Sequence, residues 1–382
     1  MKTAGVKAVK TVKPPPLLSK EVFGEDWVAF NRLTSIELTA KEASVAVHPS
    51  LVDPTEKRVL AVHWHPEWIP IELVAERVKR AFPAALDSLV IPTQHNQILT
   101  YGEWSGVEAD AYAPDYGLKI QLLIHLRTQT LPKATTLVGM MERTFRYRAL
   151  QLLDILDNVV NPDATVKNEI KKLGFSSDSI NLAQLLARRL QNLIEKADLG
   201  HSNRAETLKN RLLPDFMAAR GQEYPPETLD RAMALCRLVK SQVKRRLTPS
   251  RFHTAKDLVE EAKGLGAGVV IPHPPQFWPI LLSDLNVDGW EVWNPSTPNH
   301  TIFLLEALAR QKKNKRPILA FMGDDTHMSS KIRPDQKSEE KNNLDREIGF
   351  QSPWRDPKVL TVLKKTGQSR ERTMDEYRTR LT

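Results

Sequence analysis

The sequence predicts an α/β fold: buried strands separated by helices, with a long helical insertion in the middle of the chain. Three observations predict it. Short apolar runs bounded by polar residues recur at 59–62, 86–91, 118–124, 268–271, 287–292 and 317–322, the form expected of strands covered on both faces. Helical periods follow, first in Ile71, Val74, Val78 and Phe82, so strand leads to helix. Third, residues able to bind a metal stand at the ends of these runs, and parallel strands bring their carboxyl ends to one face.

Taken in order, residues 1–20 read as a flexible basic arm, with five lysines, no acid and a PPP segment that cannot nucleate a core. Residues 21–130 form the first part of the α/β domain, and the alternation from Leu33 to Val47 suggests strands at its entry. The run ending in RVLAVHWH follows, then the helix after PEWIP. Residues 131–262 are helical. Ile180, Leu182, Leu185, Leu186, Leu190, Leu193 and Ile194 form one stripe, and the stretch from Leu229 to Leu247 forms another, ending in the basic Lys244–Arg246. This segment is read as an insertion hanging over the catalytic end of the fold, with a packing or dimerisation element as the rival reading. Residues 263–335 complete the domain, and 336–382 form a charged C-terminal tail.

Composition bounds the answer further. The 382 residues are 41% hydrophobic and carry a formal net charge of +9, ordinary for a folded protein with room for a sizeable core. No 18-residue apolar run and no signal-like start occur, so no membrane partner and a cytoplasmic location are expected. The single cysteine, Cys236, excludes an intramolecular disulfide and falls on the apolar side of a helical pattern. Basic charge concentrates in the arm and in 131–262, which carries 22 Lys and Arg against 16 Asp and Glu, a net of +6. That excess suits a polyanionic partner and equally a solvated helical face.

Six of the ten histidines, His63, His65, His95, His125, His273 and His327, close a strand-like run. His63 and His65, two apart, project from one face. Each motif alone has an ordinary explanation: a short HxH is common, a lone His125 or His273 is usually a hydrogen-bonded core residue, and DDTH can be a helix cap. Their shared topological position, with Glu108 and Asp325 among them, points instead to one polynuclear metal site. Imidazole with carboxylate and no thiolate suits zinc, iron or manganese.

These residues resemble the motif series of the polymerase and histidinol phosphatase (PHP) superfamily. The resemblance runs through His63 and His65 in HWH, His95 in PTQHN, Glu108 in GVE, His125 in LLIHL, His273 in IPHP and Asp325 with His327 in GDDTH, and GWEVWN, with Glu291 and Asn294, looks like the segment between the last two motifs. It implies a distorted (β/α)7 barrel, two or three divalent ions bound by His63, His65, His95, Glu108, His125, His273, Asp325 and His327, and hydrolysis of phosphate esters. Within it Glu108 would bridge two ions, and one of His95, His125 and His327 would act as general acid or contact phosphate. Arg127, Lys331 and Arg333 would grip the phosphate. The chain departs from the pattern in two places. Pro70 and Ile71 stand where a further ligand is usual, with Glu67 and Glu72 nearby, and Gln94 replaces the aspartate that commonly precedes the second-motif histidine.

The expected function is therefore a metal-dependent phosphoesterase acting on a phosphorylated small molecule or nucleotide. A nuclease or nucleic-acid processing factor is the first alternative, and a metallohydrolase of another kind, such as an amidase, or an inactive metal-binding relative is the second.

Overall fold

The computed structural model describes residues 21–197, 207–246, 251–311, 317–333 and 346–382. The basic arm of residues 1–20 and the start of the charged tail lie outside them. The chain divides into two compact units, Met1–Ser35 with Ala149–Arg246, and Ile36–Arg148 with Leu247–Thr382.

Among the described residues the second unit carries ten strands: β1 (Arg58–Ala61), β2 (Trp64–His65), β3 (Asp87–Val90), β4 (Leu99–Tyr101), β5 (Trp104–Ala113), β6 (Leu118–Arg127), β7 (Gly268–Ile271), β8 (Gly289–Trp293), β9 (Leu319–Met322) and β10 (Thr326–His327). The fold is mixed α/β, as expected, but the strands make no closed barrel. They form a six-stranded sheet in sequence order from β4 to β9 and two separate parallel pairs, β1 with β3 and β10 with β2. A second departure from a (β/α)7 barrel is direction. β4, β5, β6 and β7 pair antiparallel, and only β7, β8 and β9 run parallel within the large sheet. The cause lies between β5 and β6, where Pro114–Tyr116 and the left-handed Gly117 (φ 64°) turn the chain at once. A parallel crossover needs a dozen or more residues.

A helix covers the strands where the periodicity of Ile71 to Phe82 predicts it, and a second lies at Ala255–Gly264, in the part of the chain read as insertion. Ile71–Ala81 buries Val74 and Val78, and Ala255–Gly264 buries Leu258 and Val259. The strands expected between 33 and 47 are instead helical, over Gly24–Thr34 and Ala40–Val47. Their local chemistry explains the change. Thr39 accepts from the Glu42 backbone N–H while Glu42 accepts from the Thr39 N–H at 2.8 Å, a reciprocal cap, and Ala and Glu then favour helix over strand.

The C-terminal region, read from sequence as a tail, contributes to this unit. Asp356 caps Pro357–Thr366 by accepting from Lys358 N and Val359 N, and Arg370–Arg380 buries Met374 and Tyr377. Before them, the chain from Arg346 to Trp354 lies along β1, whose one ladder partner is β3. Gln351 Nε2 donates to the Leu60 carbonyl at 3.0 Å and Gly349 N–H to Asp324 Oδ2 at 3.0 Å. Gly349 has φ 81°, and a Cβ there would stand 3.0 Å from Phe82 and Val59, so glycine is required by backbone and by space.

In the first unit the predicted stripe lies on Ser177–Lys196, whose Leu182, Leu186, Leu190 and Leu193 share a core with Leu235, Cys236 and Val239 of Pro226–Arg245. Burial among apolar neighbours pushes the Cys236 thiol up to about 12, so it stays protonated and inert. Asp26, fully buried, is neutralised by Arg220 at 2.8 Å.

Arg77 and Glu347 form a buried two-pronged pair, Nε to Oε1 and Nη2 to Oε2 both at 2.6 Å, that ties the Ile71–Ala81 helix to the segment following Arg346. Arg77→Leu leaves Glu347 with the Ser50 N–H at 2.9 Å and Lys331 at 3.9 Å in place of the two-pronged guanidinium, and is expected to cost about 3 kcal/mol. The double replacement Arg77→Leu with Glu347→Leu should recover most of it in urea unfolding. A double variant no more stable than the single one would show that the pair is not the source of the loss.

Candidate metal centre

Five chain segments meet at the carboxyl ends of the parallel strands. β1 continues through Val62 and His63 into β2, and the alternation of extended backbone leaves His63 and His65 on one face. β10 pairs with β2 in register, His327 opposite His65. His95, beyond β3, forms an isolated parallel bridge to Glu108 in β5. His273 follows β7 by two residues, and Asp325 lies between β9 and β10.

The backbone is strained at these junctions. Among the described residues the non-glycine positions with positive φ are Glu67 (57°), Asn96 (54°), His273 (28°) and Asp325 (49°), and each such conformation costs on the order of 1–3 kcal/mol. Each is held by its own N–H. Glu67 donates to Gln94 Oε1 at 3.0 Å, Asn96 to the Glu108 carbonyl at 2.8 Å, His273 to Glu291 Oε2 at 2.6 Å and Asp325 to the His63 carbonyl at 2.8 Å. The segments thus lock one another in the turns that aim their side chains inward.

Those side chains converge. Asp325 Oδ1 lies 3.5 Å from His63 Nε2, 3.3 Å from His65 Nε2 and 3.4 Å from His327 Nε2. Glu108 Oε1 lies 3.5 Å from His273 Nε2 and 3.9 Å from His63 Nε2, and its Oε2 lies 2.5 Å from His95 Nδ1 and 3.7 Å from His65 Nε2. Three overlapping groups have ligand atoms close enough for a common ion: His63, His65 and Asp325; His63, Glu108 and His273; and His65, His95 and His327. His63 Nε2 and both ring nitrogens of His65 are buried and make no hydrogen bond. Most of these separations are long for hydrogen bonds. They match two donors each about 2.1 Å from one ion at a tetrahedral angle, which stand about 3.4 Å apart. The donor set, imidazole and carboxylate with buried unsatisfied nitrogens, therefore fits divalent metal.

A second layer orients the first. Glu291 Oε1 accepts from His63 Nδ1 at 2.7 Å, so that loss of the ring's extra proton would leave the lone pair on Nε2, the nitrogen that faces Glu108 and Asp325. Asn294 donates to Glu291 Oε2 at 3.2 Å. Gly323 makes room for this, since a Cβ there would fall 1.4 Å from Glu291 Oε1. Glu67 Oε1 stands 3.6 Å from His327 Nδ1 while its Oε2 accepts from Ser329 N–H at 2.9 Å. Gln94, whose carbonyl accepts from Glu108 N–H at 3.1 Å, serves as a scaffold.

Charge follows position. Burial alone would discharge His63, but the Glu291, Asp325 and Glu108 carboxylates outweigh it and hold the imidazole up to about 10. His327 is likewise raised to about 10 against burial by Asp325 and Glu67. His65 is pushed down to about 3 by burial and by the flanking His327 and His95. Glu108 and Asp325 stay well below the usual carboxylate range despite burial, because imidazoles surround them.

Not every expected residue joins this group. His125 lies within β6, opposite Gly106 and Gly268, whereas Glu108 is opposite Leu123, which in turn pairs with Val270. It therefore sits two residues, about 7 Å, down the strand from Glu108. Its Nδ1 pairs with Tyr377 OH at 2.7 Å, and burial holds it down to about 3, neutral. Because β6 runs antiparallel, His125 near its carboxyl end lies down the strand from Glu108; its Nε2 is buried without a hydrogen bond, and it belongs to none of the three groups of ligand atoms close enough for a common ion. The three expected phosphate cations are also engaged elsewhere. Arg127 donates to the Leu381 carbonyl at 3.0 Å over the Trp104 ring, Lys331 is buried 3.9 Å from Glu347, and Arg333 donates to Glu42 at 2.6 Å over Trp68. Glu72 is exposed in the first turn of its helix. Among the described residues a cation that does reach the cluster is Arg346, 3.4 Å from Asp325 Oδ2, which sequence reasoning missed. It follows the last motif by 19 residues in a stretch without periodicity, and no local signal marks it.

Tyr377→Phe removes the hydroxyl partner of a fully buried imidazole and is expected to cost about 1–3 kcal/mol in thermal or urea unfolding. Metal content, measured by elemental analysis, should be unchanged. Loss of metal from the folded variant would place His125 among the ligands after all.

No protein-family model matches the sequence, and no curated protein matches it significantly. A solved structure from Bifidobacterium adolescentis, provisionally described as a metal-dependent phosphoesterase, is similar over 82% of this chain and 97% of its own, with 16% sequence identity and a TM-score of 0.40.

Proposed function

We propose that the chain is a metal-dependent hydrolase of the PHP type that cleaves phosphate esters, with a phosphorylated small molecule or a nucleotide as substrate. The observation that carries this reading is the set of 3.3–3.7 Å separations between Asp325 Oδ1 or Glu108 and the imidazole nitrogens of His63, His65 and His273, the spacing of ligands sharing an ion. The order of motifs from HWH to GDDTH supports phosphate as the electrophile.

His63, His65, Glu108, His273 and Asp325 would hold two divalent ions of the zinc, manganese or iron kind, and His95 with His327 offer a site for a third. When bound, such ions supply a water acidic enough to attack at neutral pH and neutralise charge on the phosphoryl oxygens. The chain's own residues do the rest. Glu108, with one oxygen toward His63 and His273 and the other toward His65 and His95, is placed to bridge. Glu291 keeps His63 in the ligating tautomer. His95 and His327 are the partly open imidazoles, with side chains 18% and 17% exposed, and so face the substrate. His327, between Glu67 and Asp325, would keep its proton when only two ions are bound and would then be the donor to the leaving oxygen.

Asp325→Asn keeps volume and capping ability but removes a charge. Metal occupancy should fall and hydrolysis of p-nitrophenyl phosphate should drop by about 100-fold or more. Unchanged metal content and rate in this variant would remove Asp325 from the centre.

Proton release gives a second test. His63 holds its extra proton up to about 10 in the metal-free chain, and a ligating imidazole must shed its extra proton. Metal affinity should therefore rise with pH from 7 toward 10, and binding at pH 7.5 should release protons. Calorimetry in buffers of different ionisation enthalpy measures this, and pH-independent affinity with no proton release would count against His63 as a ligand.

A further inference from the structure

Asp325 turns its two carboxylate oxygens to different neighbours. Oδ1 faces His63, His65 and His327 at 3.3–3.5 Å. Oδ2 faces away, 3.4 Å from Arg346 Nη1 and 3.4 Å from Asn294 Nδ2. The same Nη1 donates to the Asp325 carbonyl at 3.0 Å, and Nη2 donates to Ser296 Oγ at 3.1 Å. The Arg346 side chain is 9% exposed, which separates it from surface ion pairs of little effect.

We infer that Arg346 is a positioning residue for Asp325, holding it so that Oδ1 alone faces the metal centre; this rests on the metal-dependent reading above. Asp325 has φ 49°, and its N–H is fixed by the His63 carbonyl, but nothing in that bond sets the carboxylate. A guanidinium spanning carbonyl and carboxylate sets both, and it balances the charge on the oxygen that faces away from the imidazoles. Without it, the carboxylate can rotate and a buried charge loses its counterion. Glutamine at 346 keeps a donor without the charge. Lysine keeps the charge without the planar fork.

The test uses the full chain as wild type, R346Q, R346K, D325N and R346Q/D325N. Manganese affinity is read by chelator competition, and kcat and KM on p-nitrophenyl phosphate. R346Q should weaken metal affinity by about 10- to 100-fold and lower kcat with little change in KM. R346K should recover part of the affinity. In the D325N background R346Q should add little, because its effect passes through Asp325. Unchanged affinity in folded R346Q overturns the inference, as does an equal further loss in D325N. So does a raised KM at unchanged affinity, which would make Arg346 a substrate contact. If R346Q does not fold, R346K decides alone: intermediate affinity supports the role and wild-type affinity overturns it. A wild-type chain that binds no manganese in the same titration overturns the metal reading itself, which is a different result from a metal-binding wild type matched by R346Q.

Discussion

Everything at the centre depends on the burial of carboxylate charge. Glu108 and Glu291 are almost fully withdrawn from water and Asp325 and Glu67 are largely so, and such groups are tolerated only if positive charge or several hydrogen bonds meet them. Five imidazoles and one guanidinium surround them. In the metal-free chain the balance is struck by protons on His63 and His327, a costly arrangement because those same rings are stripped of solvent. A dication in their place would satisfy the carboxylates and leave the imidazoles neutral, as burial prefers. The site is thus electrostatically incomplete in the way a metal centre is.

Holding such a site requires rigidity, and the fold supplies it by mutual constraint. The four left-handed residues at Glu67, Asn96, His273 and Asp325 donate their N–H groups to Gln94, Glu108, Glu291 and His63, so each turn is tied to a different segment of the centre. The segment from Arg346 to Gln351 closes the arrangement from outside. It brings Arg346 to Asp325, Gly349 to Asp324 and Gln351 to β1, while the Arg77–Glu347 pair anchors it to a helix.

How far this was legible in the sequence depended on how local the signal was. HxH on an extended segment, the apolar runs that became β1, β3, β7, β8 and β9, and the helix at Ile71–Ala81 all follow from periodicity. So does the stripe on Ser177–Lys196. The antiparallel course of β6 was not legible, because an apolar run carries no direction; only the short Pro114–Gly117 connection hints at it. The helix Arg370–Arg380 was hidden for another reason. Its sequence, RERTMDEYRTR, buries Met374 and Tyr377 on an otherwise polar helix, too sparse a stripe for a period to register. Arg346 could not be found at all, since its role is set by tertiary return of the chain.

The direction of β6 also explains why a correct residue type can be wrong in place. On an antiparallel neighbour, positions that share a face with Glu108 descend as the sequence advances, so His125 lands beside Gly106, where a Cβ would meet Pro92 O at 2.4 Å, Ile91 at 2.8 Å and the His125 ring at 3.0 Å. The layer below the ligands holds glycine, a neutral imidazole and the Tyr377 hydroxyl. A histidine there satisfies a buried hydroxyl and supports the floor on which Glu108 and His63 stand. Ligand and floor share a face and a residue type, and what separates them is the height along the strand at which carboxylates are present.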